Sequence, residues 1–380
     1  MKTQPRISAL IAMSAFKGQL TNDQACTEVA EALRTLHIPS QTVPVADGGN
    51  GTLTAIHNRL GGACVKVESS GPLGAKVEAD VLCLPNAEHP EFLFVESAQV
   101  CGHSLIPDTQ RDAMRATSYG LGELLNTCSK RWSKVSKVYI GLGDSAISDA
   151  GMGMLSALGY AFVDNSGTKL WGNAHSLRNV TSIVPPKERI FRQSHFVVLC
   201  DVLNPLCGPK GSARTFAKQK GATLQQVELI EKGMMNYAQL VQKLNGRRLH
   251  DEPMTGSAGG LGAAFAAFFD AELVLGAQFL LDWIRFDNLL KEHSVVITGE
   301  GKTDQQTLQG KSPFECISRA SRLGKPSLIL SGSLGPGDEQ LTIDKFQGCW
   351  SCGTTPTAAK ALRAKTIEIF SDKKLLAKLG

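Results

Sequence analysis

The chain has 380 residues, enough for two domains, and its 42% apolar and 20% charged residues suit a soluble globular protein with a sizeable core. Forty Lys and Arg against 35 Asp and Glu leave a net charge of +5, spread along the chain; this fits anionic small substrates. With only 6% aromatics and no basic run interleaved with them, it argues against nucleic acid as a partner. No stretch approaches a membrane span, and the apolar run 7–12 meets Lys17 too soon to be a signal peptide, so a cytoplasmic location is expected. The ten cysteines are scattered and read as reduced thiols.

In chain order, Ile7–Ala12 reads as a buried strand ending in the loop Met13-Ser14-Ala15-Phe16-Lys17-Gly18. Thr21 and Gln24 have capping-box spacing, and Ala25, Val29, Ala32, Leu33 and Leu36 share a helical face behind them. Gln41–Ala46 is a second strand, placed at a sheet edge by Pro44, and it runs into Asp47-Gly48-Gly49-Asn50-Gly51-Thr52. From Cys64 shorter alternating strands follow, 64–68, 76–84 and 91–97, separated by the turn-like Gly71-Pro72-Leu73-Gly74 and Pro85-Asn86. A helical stretch, 117–128, precedes a strand at Lys137–Ile140 and a polar loop from Gly141 to Gly153. Strand 195–199 leads to Asp201, Asn204 and, beyond them, Gly208-Pro209-Lys210-Gly211. Thr223 is placed to cap a helix over Leu224–Leu244, and Gly256–Gly262 opens a nearly all-apolar helix, Ala263–Phe269.

Val295-Val296-Ile297-Thr298 then reads as a buried strand broken abruptly by Gly299-Glu300-Gly301. Lys302, Asp304 and Gly310-Lys311-Ser312 follow, with Pro313 suited to the first turn of a helix. Helix 314–323, strand 326–331, strand 349–354 and a helix from Thr357 complete the chain. Two strand–helix units before the middle region and three after it predict an α/β fold: a flavodoxin-like parallel-sheet domain, residues 1–63 and 291–380, interrupted by an inserted α/β domain, 64–290. Cys349-x-x-Cys352 lies in the last strand, where residues three apart face opposite sides, which argues against a metal or redox pair.

Asp47, Asp149, Asp201 and Asp304 all follow predicted strands, where open α/β sheets bind ligands. Carboxylates there can hold Mg2+ or position an acceptor hydroxyl, and Lys17, Lys210, Lys302 and Lys311 can balance phosphates. A single loop Asp is more often a turn former or cap; four of them with four lysines favour an anion and metal site. The glycines of 256–262 would let backbone N–H groups reach phosphate oxygens, or serve close helix–sheet packing. Gly141-x-Gly143-x-x-Ala146 with Asp164 downstream resembles a dinucleotide fingerprint, but its loop is acidic. Gly310-Lys311-Ser312 resembles the end of a P-loop, with Gln305 where the opening glycine belongs. The eight histidines lack metal-ligand spacing.

At these loops the chain resembles the bacterial glycerate kinase family that phosphorylates glycerate at its 2-hydroxyl, from about Ile7 to the C-terminus. The resemblance rests on Phe16-Lys17-Gly18, Ala46-Asp47-Gly48-Gly49, Gly71-Pro72-Leu73-Gly74, Thr117-Ser118-Tyr119-Gly120 and Ser145-Ala146 with Asp149. It continues in Cys200-Asp201-Val202 with Asn204-Pro205-Leu206, Gln219-Lys220-Gly221-Ala222-Thr223, Ala258-Gly259-Gly260-Leu261-Gly262 and Thr298-Gly299-Glu300-Gly301 with Asp304. It implies two α/β domains with ATP and glycerate meeting in a cleft between them, Mg2+ as cofactor, and is compatible with a homodimer. Asp201 or Asp304 would hold the metal or accept the hydroxyl proton, with Asp149 and Lys17 also catalytic. Lys17, Asp47, Gly48, Gly49 and Asn204 would face glycerate; Ser145, Lys210, Gly259, Gly260, Gly262, Gly299 and Gly301 would face the nucleotide.

The departures matter as much. The family usually has Pro-Asp-Ser at Met13-Ser14-Ala15, Glu at Asn50, and Gly-Gly-Ser-Ala-Thr-Asn-Asp-Gly-Gly where this chain carries Asp144, Ile147, Ser148 and Ala150. Leu121 replaces a Thr, Lys302 an Arg and Gln305 a Gly. Lost carboxylates weaken metal binding or acceptor positioning, and Lys for Arg loses a bidentate fork. The expected function is ATP-dependent phosphorylation of a small hydroxy acid, glycerate to 2-phosphoglycerate. The alternative is a weakened paralogue that binds or regulates without ordinary turnover. A nicotinamide-dependent dehydrogenase is a third reading, resting on 141–146 alone.

Overall fold

The computed structural model describes residues 7–16, 18–336, 341, 343–355 and 357–379. The chain divides into two compact units, Met1–Asp47, Thr54–Arg59 and Ala277–Gly380 in the first, Gly48–Leu53 and Leu60–Gly276 in the second. Its strands in chain order are β1 (Ala9–Met13), β2 (Ser40–Thr42), β3 (Ala63–Ser70), β4 (Lys76–Leu84), β5 (Phe92–Glu96), β6 (Lys137–Leu142) and β7 (Ala161–Val163). They continue as β8 (Ser182–Val184), β9 (His195–Cys200), β10 (Glu272–Leu275), β11 (Val295–Thr303), β12 (Ser327–Leu334) and β13 (Phe346–Ser351).

The first unit is a parallel five-stranded sheet in the order β13-β12-β11-β1-β2. Counted within the unit this is 2-1-3-4-5, the flavodoxin-like order. The side chains of β1 alternate between two apolar layers, as a strand buried on both faces must. Ala9, Ile11 and Met13 pack with Val29, Leu33 and Leu362; Leu10 and Ala12 pack with Leu281, Phe286 and Cys316. Pro44 sits just past edge strand β2, while Val43 and Val45 still donate to the carbonyls of Ile11 and Met13 (2.8 and 3.1 Å). Thr21 and Gln24 form the expected capping box on helix Asn22–Thr35.

Two expectations change here. Strand β11 does not end at Thr298: Gly299, Glu300, Lys302 and Thr303 continue the ladder opposite Leu330, Ser331, Ser333 and Leu334. Gly299 is glycine because a Cβ there would run into the Leu330 carbonyl, so it marks a close strand approach rather than a turn. Residues 277–290, expected in the inserted domain, pack with the first unit instead, because Leu281, Ile284, Phe286 and Leu289 complete the layer around Leu10 and Val296.

The second unit contains a six-stranded sheet, β10-β9-β6-β5-β4-β3, with β5, β6, β9 and β10 parallel and β3 and β4 added antiparallel. A β7–β8 ribbon lies outside it. The all-apolar helix Ser257–Phe269 is buried along almost its whole length, as uniform hydrophobicity demands. Thr223 and Gln226 cap helix Leu224–Asn245 reciprocally. Cys349 and Cys352 join different apolar clusters of the first unit, on opposite sides of β13, and all ten thiols are free.

Candidate active site

In the second unit the segment Gly48–Leu53 crosses the carboxyl ends of β6 and β9. A Cβ on Gly48 would lie 2.6 Å from the Leu199 carbonyl oxygen, one on Gly141 2.6 Å from the Gly48 carbonyl oxygen, and one on Gly143 2.6 Å from Gly49 Cα. These glycines exist so that backbone can lie on backbone. The space a pyrophosphate would need above Gly141 and Gly143 is thus filled by the chain itself. Asp164 caps its own turn through Ser166 and Thr168 N–H groups (2.9 and 3.0 Å), so the dinucleotide reading fails.

Lys220 is the centre of this site. Only 3% exposed, it donates from Nζ to the Ile147 carbonyl (2.6 Å) and to Ser145 Oγ (3.1 Å). Burial pushes its ammonium down to about 8, against the opposing pull of the Asp201 and Asp149 carboxylates. Asp201, just past β9, is half-buried, with its Oδ2 3.4 Å from where a Gly143 Cβ would stand. A buried cation beside two acids is a charge held in place for a purpose. Lys220 was visible in the sequence within Gln219-Lys220-Gly221-Ala222-Thr223, but nothing local distinguished it from the exposed lysines.

Asp149 proves to be structural. It is fully buried, and Oδ2 accepts from Ser118 N (2.7 Å), Ser118 Oγ (2.8 Å) and Gly153 N (3.2 Å), while Oδ1 accepts from Gly151 N (3.1 Å). Burial raises its carboxyl, opposed by these bonds. This carboxylate, without exposed surface, ties loop 117–118 to the start of helix Met152–Ala157. Gly259 and Gly260 are also occupied by packing. Both have left-handed φ (69° and 94°), and a Cβ would strike the Ile147 carbonyl at one and Ala150 Cα, 2.7 Å away, at the other. A Cβ on Gly262 would lie 2.5 Å from the Met254 carbonyl oxygen. The absence of side chains at these three lets the segment pack against the Ile147–Ala150 loop and Met254.

Glu96 is a second residue the sequence left unremarked. It ends β5, is buried, and accepts from Thr52 N (3.1 Å). Burial lifts its carboxyl to about 8, with Asp144 nearby adding to the rise, so it is protonated at neutral pH. Asp144 itself accepts from Asn50 N (3.1 Å). Asn204 Nδ2 donates to the Lys210 carbonyl (2.7 Å), which orders the loop that carries the exposed Lys210.

In the first unit the carboxyl end of β11 gathers a separate set. Glu300 is buried and accepts from Thr307 Oγ1 (2.6 Å). Burial raises its carboxyl; Lys311 lowers it, and Asp47 and Asp304 raise it, so all four charges share one neighbourhood. Lys302 pairs with Asp304 at 3.2 Å. Gly299 and Gly301 lie inside the strand ladder rather than in a phosphate-binding turn. Lys17 lies outside the described residues. Among the described residues no group of three or more His, Cys, Asp or Glu could hold a metal ion.

The family model described as the glycerate kinase family matches residues 9–374. The chain belongs to the glycerate kinase family. It is a kinase-type phosphotransferase. A glycerate kinase of Halalkalibacterium halodurans is 34% identical over 334 residues, covering 87% of this chain and 86% of the relative. The glycerate 2-kinase of Escherichia coli K12 is 33% identical, covering 86% and 85%. A solved structure from Salmonella typhimurium LT2, assigned as glycerate kinase 2, superimposes with a TM-score of 0.75 at 31% identity over 98% of this chain and 97% of that one. Among the described residues no helix is long and apolar enough to cross a membrane.

Proposed function

We propose that this family member transfers the γ-phosphoryl group of ATP to glycerate, at the 2-hydroxyl, with Mg2+ accompanying the nucleotide. The observation that carries this reading is the buried Lys220 ammonium, held by Ser145 and Ile147 beside Asp201. Phosphoryl transfer needs positioning and charge balance more than covalent chemistry. The glycerate hydroxyl oxygen attacks the γ-phosphorus as the bond to the ADP oxygen breaks. Asp201 takes the hydroxyl proton, and Lys220 balances the charge on the transferred group. Asp47, Gly48, Gly49 and Asn204 remain the glycerate side, with Lys17 or Lys210 for its carboxylate; Ser145 remains with the nucleotide.

Mg2+ in kinases is bound largely by phosphate oxygens with one or two protein carboxylates, so it does not require a three-acid cluster, and none is found among the described residues. Asp304 and Asp201 have the oxygen chemistry for that share, and the ion would neutralise phosphate charge when bound. Asp144, which accepts from Asn50 N, would supply from the facing loop the acid expected at position 50.

The reading is tested by a coupled ADP-release assay with D-glycerate, and by phosphorus NMR of the product. Turnover in the range of about 1–100 per second with a 2-phosphoglycerate signal is expected. Absence of turnover would sink it in favour of the weakened paralogue. That second reading draws on Ser14, whose hydroxyl is buried with no partner among the described residues where an acid is expected. If the loss of that acid limits the enzyme, Ser14→Asp raises kcat.

A further inference from the structure

The second unit has an additional cavity of about 230 Å3 remote from the loops described above. Its floor is Leu158, Phe191, Phe196 and Phe268, all buried, and Arg189 and Arg192 stand exposed on its rim. It lies at the start of β9, beside Ser194 and Phe196, whereas Asp201 follows the end of that strand, roughly 17 Å away at a strand's rise per residue. The cavity is thus at the opposite end of β9 from Asp201.

Three features make it a site rather than a packing flaw. Tyr160 lines the cavity and is 3% exposed, and the Arg189 guanidinium lies close enough to act electrostatically on its hydroxyl. A phenol O–H and a guanidinium side by side on a cavity wall can both donate to one ligand oxygen. Arg189 and Arg192 are exposed on the rim and neither is committed to a carboxylate among the described residues, which leaves both guanidinium forks available to an anion. The Asp270 carboxylate, also at the edge, is engaged by Arg247 at 3.3 Å. Finally, the walls are aromatic: Tyr160 meets Phe268 edge-on with centroids 5.0 Å apart, and Phe191 meets Phe196 edge-on at 5.8 Å.

We propose that this cavity binds a small aromatic monocarboxylate, its ring among Phe191, Phe196 and Phe268 and its carboxylate between Tyr160 and the two arginines. The volume is below the roughly 300–1,000 Å3 of sites for drug-sized ligands, which limits the occupant to a single ring on a short arm. Guanidinium groups prefer the planar, bidentate carboxylate.

Isothermal titration of the full-length protein with phenylacetate tests this, with phenylacetamide as the uncharged control. Saturable one-to-one binding is expected, undisturbed by saturating glycerate and ATP analogue. The double variant Arg189→Ala, Arg192→Ala, whose exposed positions leave folding intact, should weaken it by roughly ten- to a hundredfold. Ala267→Trp, which fills the cavity, should abolish it, with circular dichroism confirming the fold. No saturable binding overturns the proposal; so do equal affinity for phenylacetamide, an affinity unchanged in the double arginine variant, or competition by glycerate. Because the readout is binding and not turnover, a failure here is distinguishable from failure of the kinase assignment.

Discussion

The loop clusters of the two units use the same ingredients, a lysine, several acids and glycines past the end of a parallel strand, and arrive at opposite electrostatics. In the second unit Lys220 and Asp149 are enclosed, and each is held by neutral hydrogen-bonding groups at fixed distances. In the first, Lys302 is exposed and Lys311, Asp47 and Asp304 are partly exposed, while Glu300 is withdrawn from water. Enclosure makes a charge strong and immobile, because low dielectric amplifies its field and the surrounding dipoles cannot reorganise. Exposure leaves a charge weak at rest but free to follow a ligand. Identical residue types thus serve as a rigid fixture in one place and as adaptable contacts in the other.

The largest expected effect breaks the enclosed cluster at its centre. Lys220→Met keeps the length of the side chain and removes the charge; kcat should fall by about a thousandfold or more while the melting temperature changes little, as measured by ADP release and calorimetry. Asp149→Asn should act in the reverse sense, on stability first. It places an amide N–H2 against N–H donors from Ser118, Gly151 and Gly153, which should cost about 2–4 kcal/mol in urea unfolding.

Glu96 sharpens the comparison through pH. Its folded carboxyl is raised to about 8 from an ordinary 4.5, so the folded state retains a proton that the unfolded chain releases. Its contribution to stability is therefore complete below about 4.5 and is lost as pH rises through about 8. Glu96→Gln should remove that slope and melt a few degrees higher than the wild type at pH 8 to 9, with the difference vanishing near pH 4. The smallest effect belongs to the exposed set. Lys302→Ala breaks the 3.2 Å pair with Asp304, yet should change unfolding free energy by no more than about 0.5 kcal/mol. A KM for ATP raised with kcat nearly unchanged would mark it as a binding contact. A loss of stability matching that of Asp149→Asn would erase the distinction between the clusters.

Much of the fold was legible because it depends on local periodicity. Continuous apolar runs marked β1, β6, β9 and β11, and Thr21, Thr223 and Thr357 announced the helices they cap. Pro44 placed its strand at an edge because a missing N–H can be tolerated there, and counting strand–helix units anticipated the flavodoxin-like sheet. Where the reading failed, the deciding contact was remote in sequence. Gly299 looked like the end of a strand, but its lack of a side chain answers the Leu330 carbonyl on the neighbouring strand. Gly141 and Gly143 looked like a dinucleotide turn, but they accommodate Gly48 and Gly49. The three-residue strands β7 and β8 carry too short a pattern to register at all.

By itself the sequence determined the strand and helix grammar, the family and the list of charged loop residues, because each of these is written in neighbouring positions. Only the tertiary structure decided which charges lose their water. Asp149, Lys220 and Glu96 are ordinary side chains until strands and loops distant in sequence close over them, and burial, which no local pattern encodes, is what turns one into a tether, one into a fixed cation and one into a neutral acid.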